Sequence, residues 1–146
     1  MDLILWRHAD AEPGVPDEAR RLTAKGRKQA AKVASWLKER MEGQALVLTS
    51  PAARSRETAE ALTPSPRIEP ILAPGASSRA LLAASGWPSG SGVVVVVGHQ
   101  PDLGRTAALL LFGEERDMNM KKGAAWWFRD RGGEVTLLAA VGPEHA

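Results

Sequence analysis

Two histidines and two arginines stand out because each falls at or just beyond the end of an apolar run. Arg7-His8 closes the apolar run 3–6. Arg54 follows the run 45–49 and the turn Ser50-Pro51. Gly98-His99-Gln100-Pro101 closes the valine run 93–97. An arginine offers a planar fork that matches pairs of anion oxygens, and a helix start adds free backbone N–H groups and a positive dipole. The set therefore points to an anion site, and a phosphoryl group suits it best. A neutral imidazole is a competent nucleophile toward phosphorus and gives a phosphohistidine that water then hydrolyses. Flanking arginines disfavour the protonated ring and stabilise charge on the equatorial oxygens of the transition state.

Other chemistries fit less well. The chain has no cysteine, which removes disulfides, thiolate metal sites and cysteine nucleophiles. There is no Walker-type glycine loop, no dinucleotide fingerprint and no Gly-x-Ser-x-Gly elbow. Asp10 or Asp102 could join the histidines around a metal, but each histidine neighbours an arginine or opens an anion-binding helix, which would repel a cation. No metal and no cofactor are expected. With a formal net charge of +2 and basic residues such as those of 25–40 spread along one helix face, nucleic-acid binding is not expected either.

These residues need a scaffold that brings strand ends together. The 146 residues suffice for one domain, 1–146. The order reads strand (3–6), loop (10–21), helix capped by Thr23 and stopped near Gly43, strand (45–49), and a helix capped by Ser50 with Pro51 at its first position, running to about Leu62. A proline-rich stretch (63–75) holds one short strand near Ile68, and Ser77 or Ser78 caps a short helix. Five successive valines form a central strand buried on both faces. A helix from Pro101 to Gly113 follows, then a hairpin turning at Arg131-Gly132-Gly133. Such alternation predicts a three-layer α/β/α fold with a mostly parallel central sheet and a C-terminal hairpin. Ligands of such sheets bind beyond the carboxyl ends of the strands, where the four residues fall. The Trp126-Trp127 pair is expected to pack on the two sheet faces rather than to stack a ligand. No apolar stretch approaches the roughly 20 residues a bilayer crossing needs, and the start lacks the pattern of a signal peptide, so the expectation is a cytoplasmic protein away from membranes.

The motifs resemble those of the histidine phosphatase superfamily, the phosphoglycerate-mutase-like fold. Arg7-His8-Ala9 is similar to its Arg-His-Gly motif. Ser50-Pro51-Ala52-Ala53-Arg54, continuing to Glu57-Thr58-Ala59, is similar to its second motif, and Gly98-His99-Gln100-Pro101 to its third. With Asp10-Ala11, Arg20-Arg21-Leu22-Thr23 before a glycine and the short length, the chain most resembles the SixA-type phosphohistidine phosphatases within it. The resemblance implies His8 as nucleophile, Arg7, Arg54 and His99 as phosphate ligands, and Arg20 as a substrate-side arginine. Larger members carry a lid with a glutamate acid between the second and third motifs; here only 60–92 separates them, so no lid insertion is expected. The glycine after the histidine is Ala9, which matters only if that backbone needs a positive φ.

The missing lid leaves the proton donor open, with Asp10, Glu12 and Asp17 as candidates. It also bears on substrate. An ester needs a protonated leaving group and a dry site, whereas a P–N bond releases imidazole, a far better leaving group. The expected function is a phosphatase acting through a phosphohistidine intermediate on protein phosphohistidine, with a histidine phosphotransfer domain as the kind of partner. The alternatives are a phosphatase of small phosphate esters and a non-catalytic phosphate-binding module.

Overall fold

The computed structural model describes residues 1–146. Strand β1 (Asp2–Arg7) leads through a loop with one 3-10 turn (Asp17–Ala19) to helix α1 (Ala24–Arg40). Strand β2 (Leu46–Thr49), helix α2 (Ala53–Glu60), the two-residue strand β3 (Arg67–Ile68), helix α3 (Ser78–Ser85), strand β4 (Val93–Gly98) and helix α4 (Asp102–Phe112) follow. Strands β5 (Ala125–Arg131) and β6 (Glu134–Val141) end the chain.

The six strands form one sheet in the order β3-β2-β4-β1-β5-β6. The first four in that order are parallel, and β5 and β6 run antiparallel at the edge. Strand alternation divides the core in two. Ile4, Trp6, Val47, Val95, Val97 and Trp127 pack with Ala30, Val33, Ala34 and Leu37 of α1. Leu3, Leu5, Leu48, Val94, Val96 and Phe128 pack with Leu81 of α3 and Leu103 and Ala107 of α4. The three-layer fold is thus built as its sequence pattern requires. Trp127 joins the first cluster and the half-buried Trp126 lies against the second, one ring on each face of the sheet.

Strand order positions the site. β4 inserts between β1 and β2, with Arg7 opposite Gly98. The helix after β1 lies on one face and the helix after β4 on the other. The chain therefore parts between the carboxyl ends of β1 and β4, the switch point where open α/β sheets bind ligands.

Local signals hold with four adjustments. Thr23 caps α1, its Oγ1 accepting from the Gly26 N–H at 2.9 Å. That helix ends at Arg40, before Gly43, because Met41 already turns extended. Ser50 and Pro51 lie outside α2, which is capped at Ala52. α2 also stops at Glu60, short of Leu62. Pro101 is the cap of α4 rather than its first residue. The hairpin turns on Gly132 and Gly133, both at positive φ, as a two-residue loop of this twist requires.

Candidate functional site

His8 and His99 leave adjacent strands side by side, with ring centroids 5.3 Å apart and planes tilted by 56°. Both are buried. The Nδ1–H of His8 donates to the carbonyl of Ala9 at 2.8 Å, which leaves a lone pair on Nε2. Ala9 packs in the core, and no residue other than glycine has a positive φ, so alanine fits here without strain. Its N–H donates to Thr58 Oγ1 at 3.0 Å, and the Thr58 hydroxyl donates to the Arg54 carbonyl at 2.7 Å. The strand end carrying His8 is thereby tied to the helix carrying Arg54.

Burial pushes the His8 imidazolium down to about 4. The Ala9 bond opposes this, while Arg54, Arg7 and Arg20 add to it. Burial likewise pushes His99 to about 3, helped by His8 and Arg54 and opposed by Asp17. Both rings are neutral at physiological pH. Nε2 of His99 lies 2.7 Å from Ser50 Oγ, and its Nδ1 lies 3.4 Å from Arg54 Nη2.

The two arginines are arranged alike. Arg7 Nη1 donates to the Met120 carbonyl at 2.8 Å, and Arg54 Nη1 donates to the Asp17 carbonyl at 2.9 Å. The Nε–H of each is buried without a partner. An orphaned buried donor costs about 1–3 kcal/mol, and two of them at one strand edge suit an anionic ligand. A tetrahedral oxyanion would satisfy both, beside a ring nitrogen able to attack its central atom. Arg20 sits at the rim, where its charge reaches His8, with Nε donating to the Glu12 carbonyl at 2.7 Å and Nη1 to Asp17 Oδ1 at 3.0 Å. All five sequence candidates thus gather at one place.

Two of the three candidate proton donors are held by cations. Asp10 accepts from Lys122 and Thr23, which hold its carboxyl below the usual range. Arg20 and Arg54 do the same to Asp17. Glu12 is exposed and contributes its backbone carbonyl. Asp102, raised by burial, accepts the Gly75 and Ala76 N–H groups and fastens that loop instead. No group of three or more His, Asp or Glu side chains gathers to hold a metal. Thr58 stands in the second motif without a role assigned from sequence, and the structure gives it one as the tie between Ala9 and Arg54. Met120 acts through its backbone and leaves no signal at all.

None of the five principal cavities is lined by Arg7, His8, Arg54 or His99. A cavity of about 750 Å³ opens at the opposite pole, among Trp36, Arg40, Trp127 and Arg129.

An oxyanion seat beside an unprotonated ring nitrogen has the chemistry that phosphoryl transfer requires. Residues 3–87 match the histidine phosphatase superfamily (branch 1), and the chain belongs to that superfamily of phosphohydrolases. It is 38% identical over 136 residues to an uncharacterized protein of Picosynechococcus sp., covering 84% of this chain and 81% of that one. The structure of the protein histidine phosphatase SixA complexed with tungstate superposes with a TM-score of 0.81 at 28% identity, over 98% of this chain and 97% of that one. A phosphoserine phosphatase of Entamoeba histolytica shares the fold, with a TM-score of 0.74 at 18% identity over 99% and 98% of the two chains. No helix is long and apolar enough to cross a membrane.

Proposed function

We propose that this phosphatase removes the phosphoryl group from phosphohistidine on a protein, as a SixA-type enzyme of cytoplasmic signal transduction, with a histidine phosphotransfer domain as the kind of partner. The observation that carries this reading is that Asp10 and Asp17, the two aspartates of the loop beside the seat, are both held in ion pairs rather than poised to protonate a leaving group. An alkoxide leaving from an ester needs such an acid. The imidazole of a phosphohistidine does not, because it takes its proton from water. The likeness to SixA supports the same substrate.

In the first step His8 Nε2 attacks phosphorus and the P–N bond of the substrate breaks. The electron pair stays on the departing imidazole, which picks up a proton. Arg7, Arg54 and His99 hold the equatorial oxygens, and Arg20 faces the incoming protein. Water then attacks phospho-His8, releasing inorganic phosphate and returning neutral His8. Its Nδ1–H stays on Ala9 throughout. No cofactor takes part.

The test is phosphate release from a phosphohistidine-bearing phosphotransfer domain beside a panel of small phosphate esters, with wild type and His8→Ala in parallel. Release from the protein alone, lost in the variant, is the expected result. Faster turnover of an ester would reassign the enzyme to small molecules. Absence of His8-dependent release from every substrate would leave a phosphate-binding module.

A further inference from the structure

Arg54 is gripped from behind by a single residue, and that residue lies in a loop rather than on the sheet. Asp17 accepts Arg54 Nη1 on its backbone carbonyl at 2.9 Å and Nη2 on Oδ2 at 3.0 Å. A guanidinium has an end edge, made by the two Nη groups, and a side edge, made by Nε and Nη2. Asp17 fills the end edge. The side edge keeps its unpartnered Nε–H, and its Nη2 lies 3.4 Å from His99 Nδ1. The other carboxylate oxygen, Oδ1, takes Arg20 Nη1 at 3.0 Å. One carboxylate therefore joins the buried arginine of the seat to the half-buried arginine of its rim.

The loop is firmly held. Its stem closes through Glu12 N–H to the Arg21 carbonyl at 2.8 Å and Thr23 N–H to the Asp10 carbonyl at 3.1 Å. Glu57, one turn beyond Arg54 on α2, accepts the Leu22 N–H at 2.8 Å and both Arg21 and Arg27. The loop is thus fixed to α2 at its stem by Glu57 and at its tip by Arg54.

We propose that Asp17 is a positioning residue: it orients the side edge of Arg54 toward the phosphoryl group and draws Arg20 to the rim. The proposal rests on the reading of Arg54 as a phosphoryl ligand, whichever phosphorylated substrate the enzyme takes. Charge alone argues the other way. A carboxylate this close to a bound dianion repels it, so a mere competitor for Arg54 would, when removed, let every oxyanion bind more tightly. Positioning instead matters most for the geometry of the transition state.

The discriminating experiment compares orthovanadate, which adopts the five-coordinate geometry of in-line displacement, with inorganic phosphate. Through-space charge acts on both alike, so their affinity ratio isolates orientation. Calorimetric titration of wild type, Asp17→Asn, Asp17→Ala and Arg54→Ala should show the vanadate-to-phosphate preference falling about tenfold in both Asp17 variants, the scale of one lost charge-assisted hydrogen bond. kcat should fall more than KM changes, and Asp17→Glu should recover part of the loss. Melting temperatures of the Asp17 variants should stay near wild type, since the Asp17 side chain is 59% exposed. An unchanged ratio, or tighter binding of both anions, overturns the proposal. Unchanged vanadate binding in Arg54→Ala would instead show that the phosphoryl seat itself had been misassigned.

Discussion

The Nδ1 of His8 stands 2.8 Å from the carbonyl oxygen of Ala9, and a carbonyl can only accept. The ring proton is therefore fixed on Nδ1 by the backbone of the next residue, and the attacking nitrogen is fixed as Nε2. Long-range ¹H–¹⁵N correlation spectra should show His8 as the Nδ1–H tautomer at neutral pH. An Nε2–H tautomer, or a ring already charged there, would contradict the arrangement.

Folding stability should fall as acid is added, starting well above the carboxylate range. His8 and His99 take up protons at about 4 and about 3 in the folded protein, because burial opposes their charging. In the unfolded chain both do so near the ordinary value of about 6.5. The unfolded state then binds more protons between those values, so stability is full above about pH 6.5 and is lost as pH drops toward the folded values. Urea unfolding from pH 7 to 4 should give a declining free energy. His8→Ala should flatten the slope, and an equally steep slope in that variant would trace the effect to other groups.

Ser50 should matter to His99 as much as any direct phosphate ligand does. Its hydroxyl lies 2.7 Å from His99 Nε2 and also accepts the Ala52 N–H at 3.2 Å, in a fully buried position. Since the hydroxyl can either give or take the hydrogen, it leaves His99 Nδ1 free to accept from Arg54 or to donate to a phosphoryl oxygen. Ser50→Ala strands both partners. We expect a loss of about 1–3 kcal/mol in unfolding free energy and a fall in kcat of about tenfold. Wild-type turnover in that variant would show that the 3.4 Å neighbour Ser55 suffices.

These relationships show where sequence reasoning reaches. The valines of β4, the apolar run of β1 and the glycine pair of the hairpin are local signals, and local physics decides them. The candidate ligands are legible for the same reason, since Arg7, His8 and His99 stand at strand ends and Arg54 in the first turn of the helix that follows a strand. Strand order was not legible, because the insertion of β4 between β1 and β2 depends on packing over the whole chain. Asp17 looked like an acid for proton transfer because its nearness to His8 could be inferred but its partner, 37 residues away, could not. Ser50 looked like a helix cap, and the histidine that engages its hydroxyl is 49 residues distant.

Gly26 offers the sharpest test of how the fold supports the site. It lies in the first turn of α1, three residues after the Thr23 cap, against the loop that follows His8. A Cβ built there would come to 2.0 Å from the Asp10 carbonyl oxygen and 2.9 Å from its carbon, both rigid backbone atoms. That same carbonyl accepts the Thr23 N–H, so the loop cannot retreat without opening its own stem. Gly26→Ala would ordinarily stabilise a helix by up to about 1 kcal/mol. Here overpacking should outweigh that gain and destabilise by about 1–3 kcal/mol, while shifting the loop that carries Asp17 and Arg20. Chemical unfolding and turnover measured on the same sample should decline together. A Gly26→Ala protein more stable than wild type would mean that the helix and loop separate readily, and that the loop's hold on Arg54 is weaker than its hydrogen bonds suggest.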